Sequence, residues 1–353
     1  MNFFRYLLSF IYGGAVRLRN RLYDRGVFKT VRFKIPVVSV GNLTSGGTGK
    51  TPVVDWITKF YLSQGYRVAI VSRGYKRSSK GVMLVSDGVF VRVSSKDAGD
   101  EAAMLARRNP QAMVAVAEKR AEAIRFLEAA FPNALPDVIV LDDGFQHRAV
   151  HRDLNLLVIN AAKPFFTETL LPHGHLREPI EGTQRADVFL LSKVTRYTDL
   201  APLRQGLNPL NKPVAESGIR ITGFRSFFSG ERIEVKDKSQ PHLFTWAFAF
   251  SGIGDPQTFM QTLAQGGLIV EHQKHFPDHH AYTAADIDYI LSETVRHGIN
   301  LIITTEKDYH RLKSNTELFT LLRRAPCFYV EIDFEIGEGR DAIEAALKSA
   351  VSV

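Results

Sequence analysis

Gly49, Lys50 and Thr51 close the run GNLTSGGTGKTP, which begins at Gly41. This order suits phosphate chemistry. Gly46, Gly47 and Gly49 let the backbone take positive φ and turn amide N–H groups toward phosphate oxygens. Lys50 reaches the β- and γ-phosphates, and the Thr51 hydroxyl is placed to hold Mg²⁺. Pro52 fits the first turn of a following helix, where amides lack helical partners. One position departs from the common G-x-x-x-x-G-K-[ST] spacing: Thr44 stands where the first glycine is expected. The loop keeps a G-G-x-G-K-T core, with Ser45 just before the pair of glycines. Thr44, Ser45 and Thr48 complete the expected nucleotide cradle.

A second half-site lies in VIVLDDGFQH. Four apolar residues precede Asp142 and Asp143, so the acids fall at the carboxyl end of a strand, the edge where open α/β sheets bind ligands. An aspartate there ligates Mg²⁺ directly or through water. In AGDEAAML, Asp100 and Glu101 open a helix. They read either as dipole-complementing first-turn acids or as a proton acceptor and a metal ligand beside the phosphates. Arg177, in LLPHGHLREP, is suited to bidentate phosphate binding or is part of a surface loop. HFPDHHAYT holds His275, His279 and His280 at a spacing that matches no standard zinc pattern.

The elements that must position these groups alternate. VVSV, RVAIVS, AMVAVA, VIVLDD, LNLLVINA and ADVFLLSK read as buried strands, separated by helices. The pattern predicts an α/β fold with a mostly parallel sheet and helices on both faces. ITGFRSFFSGERIEV predicts a hairpin turning at Ser229-Gly230, after which a smaller α/β domain follows. The expected division is a P-loop domain over 26–222, a two-stranded ribbon over 223–242 and a C-terminal domain over 243–353. Residues 1–25 form a separate amphipathic region. Phe3, Phe4, Leu7, Leu8 and Ile11 share a helical face, Gly13-Gly14 interrupt it, and Arg5, Arg17, Arg19, Arg21 and Arg25 cluster around it. That segment reads as a core-packing helix or as an anchor at a lipid interface. Its apolar run is well short of the roughly 20 residues of a membrane span.

Composition narrows the classes. A chain of 353 residues with 45% hydrophobic content supports a full core. The single cysteine, Cys327, rules out an intrachain disulfide and cysteine-cluster zinc sites. The net charge of +8 favours phosphorylated or anionic partners, yet no nucleic-acid module signature accompanies it.

Taken in order, LYDRG, VGNLTSGGTGKTP, SRGYKR, GDEAAMLARR, VIVLDDGFQHR, LLPHGHLREP, RADVFLLSK, FSGIGDPQTF, FPDHHAYT and TTEKDYHRL closely resemble the tetraacyldisaccharide 4'-kinase family of lipid A biosynthesis. The resemblance implies a Rossmann-like P-loop domain joined to the smaller domain by a β-ribbon. It implies transfer of the ATP γ-phosphoryl group to the 4'-hydroxyl of an acylated glucosamine disaccharide 1-phosphate, with Mg²⁺. It also implies a peripheral place at the cytoplasmic face of the inner membrane, with no obligate protein partner. On matching positions it makes Asp100 the catalytic base, coupled to His279, with Lys50 on the phosphates. Thr51, Glu101, Asp142 and Asp143 form the metal shell; Gln146, His147, Arg177 and Glu178 face the acceptor; Lys307 and Asp308 lie near the nucleotide base. A P-loop switch ATPase or GTPase and a membrane-binding scaffold protein are the competing readings.

Overall fold

A computed structural model of the chain describes residues 2–75, 77–93, 95–234, 245–278 and 280–352. In chain order the elements begin α1 (Asn2–Asp24), β1 (Val37–Gly41), α2 (Lys50–Ser63), β2 (Val68–Ser72), β3 (Met83–Asp87), α3 (Ser95–Ala98), α4 (Asp100–Arg108) and β4 (Met113–Val116). They continue α5 (Arg120–Ala130), β5 (Val138–Asp142), β6 (Leu154–Asn160), β7 (Val188–Ser192), α6 (Ala201–Leu207), β8 (Val214–Ser226) and β9 (Arg232–Glu234). The last are β10 (Thr245–Ser251), α7 (Pro256–Gln265), β11 (Ile269–His275), α8 (Ala284–Arg296), β12 (Leu301–Thr305), α9 (Glu306–Lys313), α10 (Thr316–Leu321), β13 (Cys327–Ile336) and α11 (Arg340–Val351).

The chain forms two compact units. The first comprises Met1–Val194, Thr198–Ser217 and Ile336–Val353; the second comprises Thr195–Tyr197 and Gly218–Glu335. In the first unit the strands run in the order β8-β7-β6-β1-β5-β2-β4-β3. All neighbours are parallel except β3, which lies antiparallel on the β4 edge. β1, β2, β4, β5 and β7 are buried along their whole length, which is why they read as unbroken apolar runs rather than alternating ones. Val37, Val71, Ile139, Leu141, Ile124 and Leu127 form one core cluster; Leu43, Phe145, Leu157, Phe189 and Leu191 form another.

The second unit carries a parallel β11-β10-β12-β13 set, with β8 beside β13. β9 pairs antiparallel with β8, with Phe224 opposite Ile233. Phe248, Phe250, Ile287, Ile290, Ile302 and Leu312 fill its main core.

Three local readings change. The helix expected to break at Gly13-Gly14 runs unbroken from Asn2 to Asp24. Gly13 is buried there, and a Cβ at that position would come within 2.7 Å of Leu170 Cδ1, so the glycine serves close packing rather than a turn. NLIITTEKD is strand only to Thr305; the Thr305 side chain caps α9 by accepting the Asp308 N–H. The expected C-terminal range of 243–353 overruns the second unit, because Ile336–Val353 belongs to the first. The expected ribbon over 223–242 passes outside the described residues after Glu234.

Candidate active site

The loop leaves β1 at Gly41, where a Cβ would meet Phe145 Cβ at 2.5 Å; only glycine lets the strand end lie against the Gly144-Phe145 turn. Gly46 (φ 107°) and Gly49 (φ 77°) take the left-handed conformations that the loop requires. Gly47 does not adopt positive φ, which corrects the expectation for all three glycines, and no atom lies within 4 Å of where its Cβ would be. Gly49 is also the N-cap of α2, so Lys50 and Thr51 sit on its first turn, where the helix dipole favours an anion.

Inside this turn the side chains hold one another. Asn42 Nδ2 donates to Thr44 O at 2.7 Å, and Lys50 Nζ donates to Asn42 Oδ1 at 3.2 Å. Ser192, at the end of β7, donates its hydroxyl to Thr48 O at 2.7 Å. The Thr48 hydroxyl itself is buried and has no protein partner among the described residues. The 170–177 loop laces onto the other side. Thr44 bridges Leu176, Ser45 N donates to His175 O at 2.7 Å, and Arg177 N donates to Leu43 O at 2.7 Å. The amide of Ser45 is therefore already spent on protein.

Parallel pairing of β1 with β5 (Val40 opposite Asp142) brings the two aspartates beside Lys50. Lys50 Nζ lies 3.5 Å from Asp143 Oδ1. Asp143 takes positive φ (51°), and Arg177 Nη1 donates to both its oxygens at 3.0 and 2.8 Å. Burial pushes the Asp143 carboxyl up, but Lys50, Arg177 and Arg120 outweigh it and hold it below the ordinary carboxylate value. Asp142 is different. It is 2% exposed and accepts from Ser72 Oγ at 3.0 Å. Burial, then the charges of Glu101 and Asp143, push its carboxyl up to about 6 against the pull of Lys50 and Ser72.

Asp100 and Glu101 are exposed in the first turn of α4. Gly99 precedes them with φ 87°, and a Cβ there would lie 2.8 Å from Tyr75 O, so this corner is fixed by backbone contact. The carboxylate crowd has a cationic neighbour in Arg120, which is 4% exposed, and its Nε has no protein partner among the described residues. Burial lowers the Arg120 pKa, and Asp143 and Asp142 pull it back up. The His147 Nε2 is buried and has no protein partner among the described residues. Burial, then Arg120, Arg152 and Arg73, pull it down to about 4, so it is neutral at pH 7.

Of the residues expected at the acceptor, Gln146 and Glu178 are committed internally. Gln146 Nε2 donates to Asn42 O at 2.7 Å and to Glu178 Oε1 at 2.8 Å. Glu178 is fully buried, and its Oε2 accepts from Arg185 at 2.5 Å and Asn20 at 3.3 Å, so it braces the loop instead of facing a ligand. Lys307 and Asp308 lie in the second unit. Asp308 is also fully buried; its carboxylate accepts from Tyr282 Oη (2.9 Å), Arg311 Nη1 (2.9 Å), Gly252 N (3.1 Å) and Thr305 Oγ1 (2.7 Å). With both oxygens engaged it is a structural brace, while Lys307 stays exposed. His279 lies outside the described residues.

Asn42, Ser72, Ser192 and Arg120 entered the site without having been expected there. A shared signal was available: each follows or ends a buried strand at the carboxyl edge of the parallel sheet, or opens the next helix. Arg120 is the clearest, being a cation on the first turn of α5, against that helix's own dipole.

Comparison with known proteins identifies the family. A family model described as tetraacyldisaccharide-1-P 4'-kinase matches residues 1–352. A tetraacyldisaccharide 4'-kinase of Chlorobaculum parvum is 47% identical over 343 residues, covering 97% of this chain and 92% of its own. Its namesake in Chlorobaculum tepidum is 46% identical, covering 96% and 94%. The solved structure of LpxK from Aquifex aeolicus in complex with ATP superposes with a TM-score of 0.68 at 30% identity, covering 98% of this chain and 97% of that one. The chain belongs to the tetraacyldisaccharide-1-P 4'-kinase family.

Proposed function

We propose that this chain transfers the γ-phosphoryl group of ATP to the 4'-hydroxyl of a tetraacylated glucosamine disaccharide 1-phosphate, giving the 1,4'-bisphosphate in lipid A biosynthesis. The observation that carries the reading is the convergence of Lys50, Asp142, Asp143 and Arg177 at the carboxyl ends of β1 and β5, on the first turn of a dipole-bearing helix.

Phosphoryl transfer has a loose transition state, so positioning and charge stabilisation dominate its catalysis. Lys50 and the α2 N-terminus meet the β- and γ-phosphate charge, and the buried Arg120 adds to the positive field. The glycines at 46 and 49 shape the turn around the phosphates. Asp100, exposed at the start of α4, accepts the proton of the sugar hydroxyl late in the transfer.

The residues also fit Mg²⁺. Asp142 is buried among Glu101 and Asp143 with its carboxyl pushed up to about 6, an electrostatic cost that a divalent cation relieves. Asp142, Glu101 and the Thr51 hydroxyl would hold it, with Asp143 kept nearby on Arg177 and Lys50. When bound, Mg²⁺ neutralises developing charge on the phosphate oxygens.

We place the protein peripherally at the cytoplasmic face of the inner membrane, where its lipid acceptor would lie. On α1, Ser9, Gly13 and Val16 are buried while Phe4, Leu7, Phe10, Ile11 and Leu18 are exposed. Ser9 Oγ donates to Leu170 O at 2.7 Å and Tyr12 Oη to Arg177 O at 2.6 Å, so the polar face docks on the protein and the apolar face is turned outward. Among the described residues no helix is long and apolar enough to cross a membrane.

The test uses Mg-ATP labelled in the γ-phosphate with tetraacyldisaccharide 1-phosphate in detergent. Label should appear on the lipid at the 4'-position, and Asp100→Ala should cut turnover by about 10²- to 10⁴-fold while nucleotide binding is retained. ATP hydrolysis indifferent to the lipid, with no labelled lipid, would overturn the proposal in favour of a switch ATPase.

A further inference from the structure

In the second unit, α8 and the edge strand β11 bring together two histidines and a carboxylate that the proposed kinase chemistry does not use. Alternation along β11 puts Val270, His272 and Lys274 on the half-buried side, while Ile269, Glu271, Gln273 and His275 are exposed. On α8, Tyr289, Glu293 and the C-cap residue His297 follow one another at four-residue steps and form one stripe. The two rows meet: Lys274 Nζ sits 5.0 Å from the Tyr289 ring centre, and the His272 and His297 rings lie 3.6 Å apart, tilted by 31°. His297 Nε2 is 3.6 Å from Glu293 Oε2, while Arg296 takes the other oxygen at 3.5 Å. One donor atom from each of His272, Glu293 and His297 falls within 4.8 Å of the others.

We propose that His272, Glu293 and His297 bind a first-row divalent metal ion of the zinc class, clipping β11 to the end of α8. Imidazole nitrogens are the commonest protein ligands of such ions, and each ring offers one. Nitrogen donors select zinc-like ions over Mg²⁺ or Ca²⁺, and the carboxylate supplies charge compensation. Three donors within 4.8 Å of one another leave a point no more than about 2.8 Å from each, and the two rings would open from their 3.6 Å stack to aim both lone pairs at it. The scaffold that would resist opening is rigid. Ile287 and Ile290 are fully buried under α8, and Thr294, 3% exposed, donates its hydroxyl to Leu291 O at 2.7 Å. The exposed His297 leaves a route for the ion from solvent.

The experiment titrates full-length, chelator-treated protein with Zn²⁺, and separately with Co²⁺, whose visible absorption reports coordination by the protein. One ion per chain should bind with a Kd of about 1 μM or tighter and raise the Tm by several degrees. His272→Ala and His297→Gln should each weaken binding at least about tenfold and abolish the Tm rise, with metal-free melting like that of the wild type. His173→Ala, on the other unit, should change nothing. No zinc-dependent Tm rise in the wild type, or a rise that survives in both His272→Ala and His297→Gln, would overturn the site.

Discussion

Asp142 and Asp143 are adjacent in sequence and opposite in electrostatic state. Asp143 is held ionised by Arg177 and Lys50, whereas Asp142 is buried and its carboxyl is pushed up to about 6 from an ordinary 3.8. The native state therefore holds a proton on Asp142 more tightly than the unfolded chain does. The stability tied to this group is fully present below about pH 4 and is lost as the pH rises through about 6. At pH 8 without Mg²⁺ the ionised carboxylate is a net burden. Asp142→Asn keeps an acceptor for Ser72 and removes that burden. We expect it to be more stable than the wild type by about 1–3 kcal/mol at pH 8, with the difference shrinking toward pH 4. Thermal melts at the two pH values, without magnesium, check this; phosphoryl transfer should fall by at least about a hundredfold. A less stable Asp142→Asn at pH 8 would mean that the carboxylate is stabilised in a way that its burial conceals. At this scale the sequence was legible where the chemistry is local. Gly49-Lys50-Thr51 and Asp142-Asp143 announce themselves by adjacency. Asn42, Ser72 and Arg120 do not, because they join the site only through the register that aligns β1, β2, β4 and β5.

The elements show how backbone constraint sets side-chain position. Gly99 opens α4 with φ 87° and its would-be Cβ 2.8 Å from a carbonyl oxygen of residue 75, an atom that cannot swing away. Gly99→Ala is expected to cost about 1–3 kcal/mol and to displace Asp100 and Glu101 together. Measured at a temperature where the variant is folded, kcat should drop more than ATP affinity. On α1 the constraint differs in kind. Phe10 is 74% exposed, so its removal should leave the fold intact. Phe10→Glu should leave Tm within about a degree or two, yet weaken binding to anionic liposomes by about 10- to 100-fold, the value of one buried aromatic. Unchanged sedimentation with liposomes would show that this face does not meet lipid. The amphipathic pattern of α1 was legible from its spacing. Its continuity through Gly13-Gly14 was not, because a helical glycine pressed against Leu170 and a helix-ending glycine look alike in one dimension.

At the scale of the whole chain, the segment after Glu335 closes the first unit, and an amphipathic helix does not say in one dimension which sheet it will cover. β13 leaves the second unit at Glu335, and α11 packs on β1 and β6, the strands flanking the phosphate loop's origin. Gly339, with φ 79°, makes the turn; a Cβ there would collide with Val214 O. Gly337 N donates to Glu216 O and Glu216 N to Glu338 O, both at 2.8 Å, while Arg204 pairs with Glu216 and Glu338. Ile343 and Leu347 are fully buried, and Leu347 O accepts from Tyr61 Oη at 2.7 Å, tying α11 to the helix that carries Lys50 and Thr51. Burying an isoleucine and a leucine is worth about 1.5–3 kcal/mol each. The loss of both, with a stranded tyrosine hydroxyl, rivals the net stability of about 5–15 kcal/mol of a typical domain. A chain ending at Glu338 is therefore expected to be insoluble or to bind no nucleotide, although no active-site residue has been removed. Leu347→Ala is the graded version. It should lower stability by about 2–5 kcal/mol through an unfilled cavity, and Tyr61→Phe by about 0.5–1.5 kcal/mol. The Tyr61 hydroxyl meets the Leu347 backbone carbonyl, which Leu347→Ala leaves in place, so the double variant should lose about the sum of the singles. Denaturant unfolding of the four proteins checks this; a Tyr61→Phe as stable as the wild type would mean that this hydrogen bond does not brace α2, the helix that carries Lys50 and Thr51, on α11.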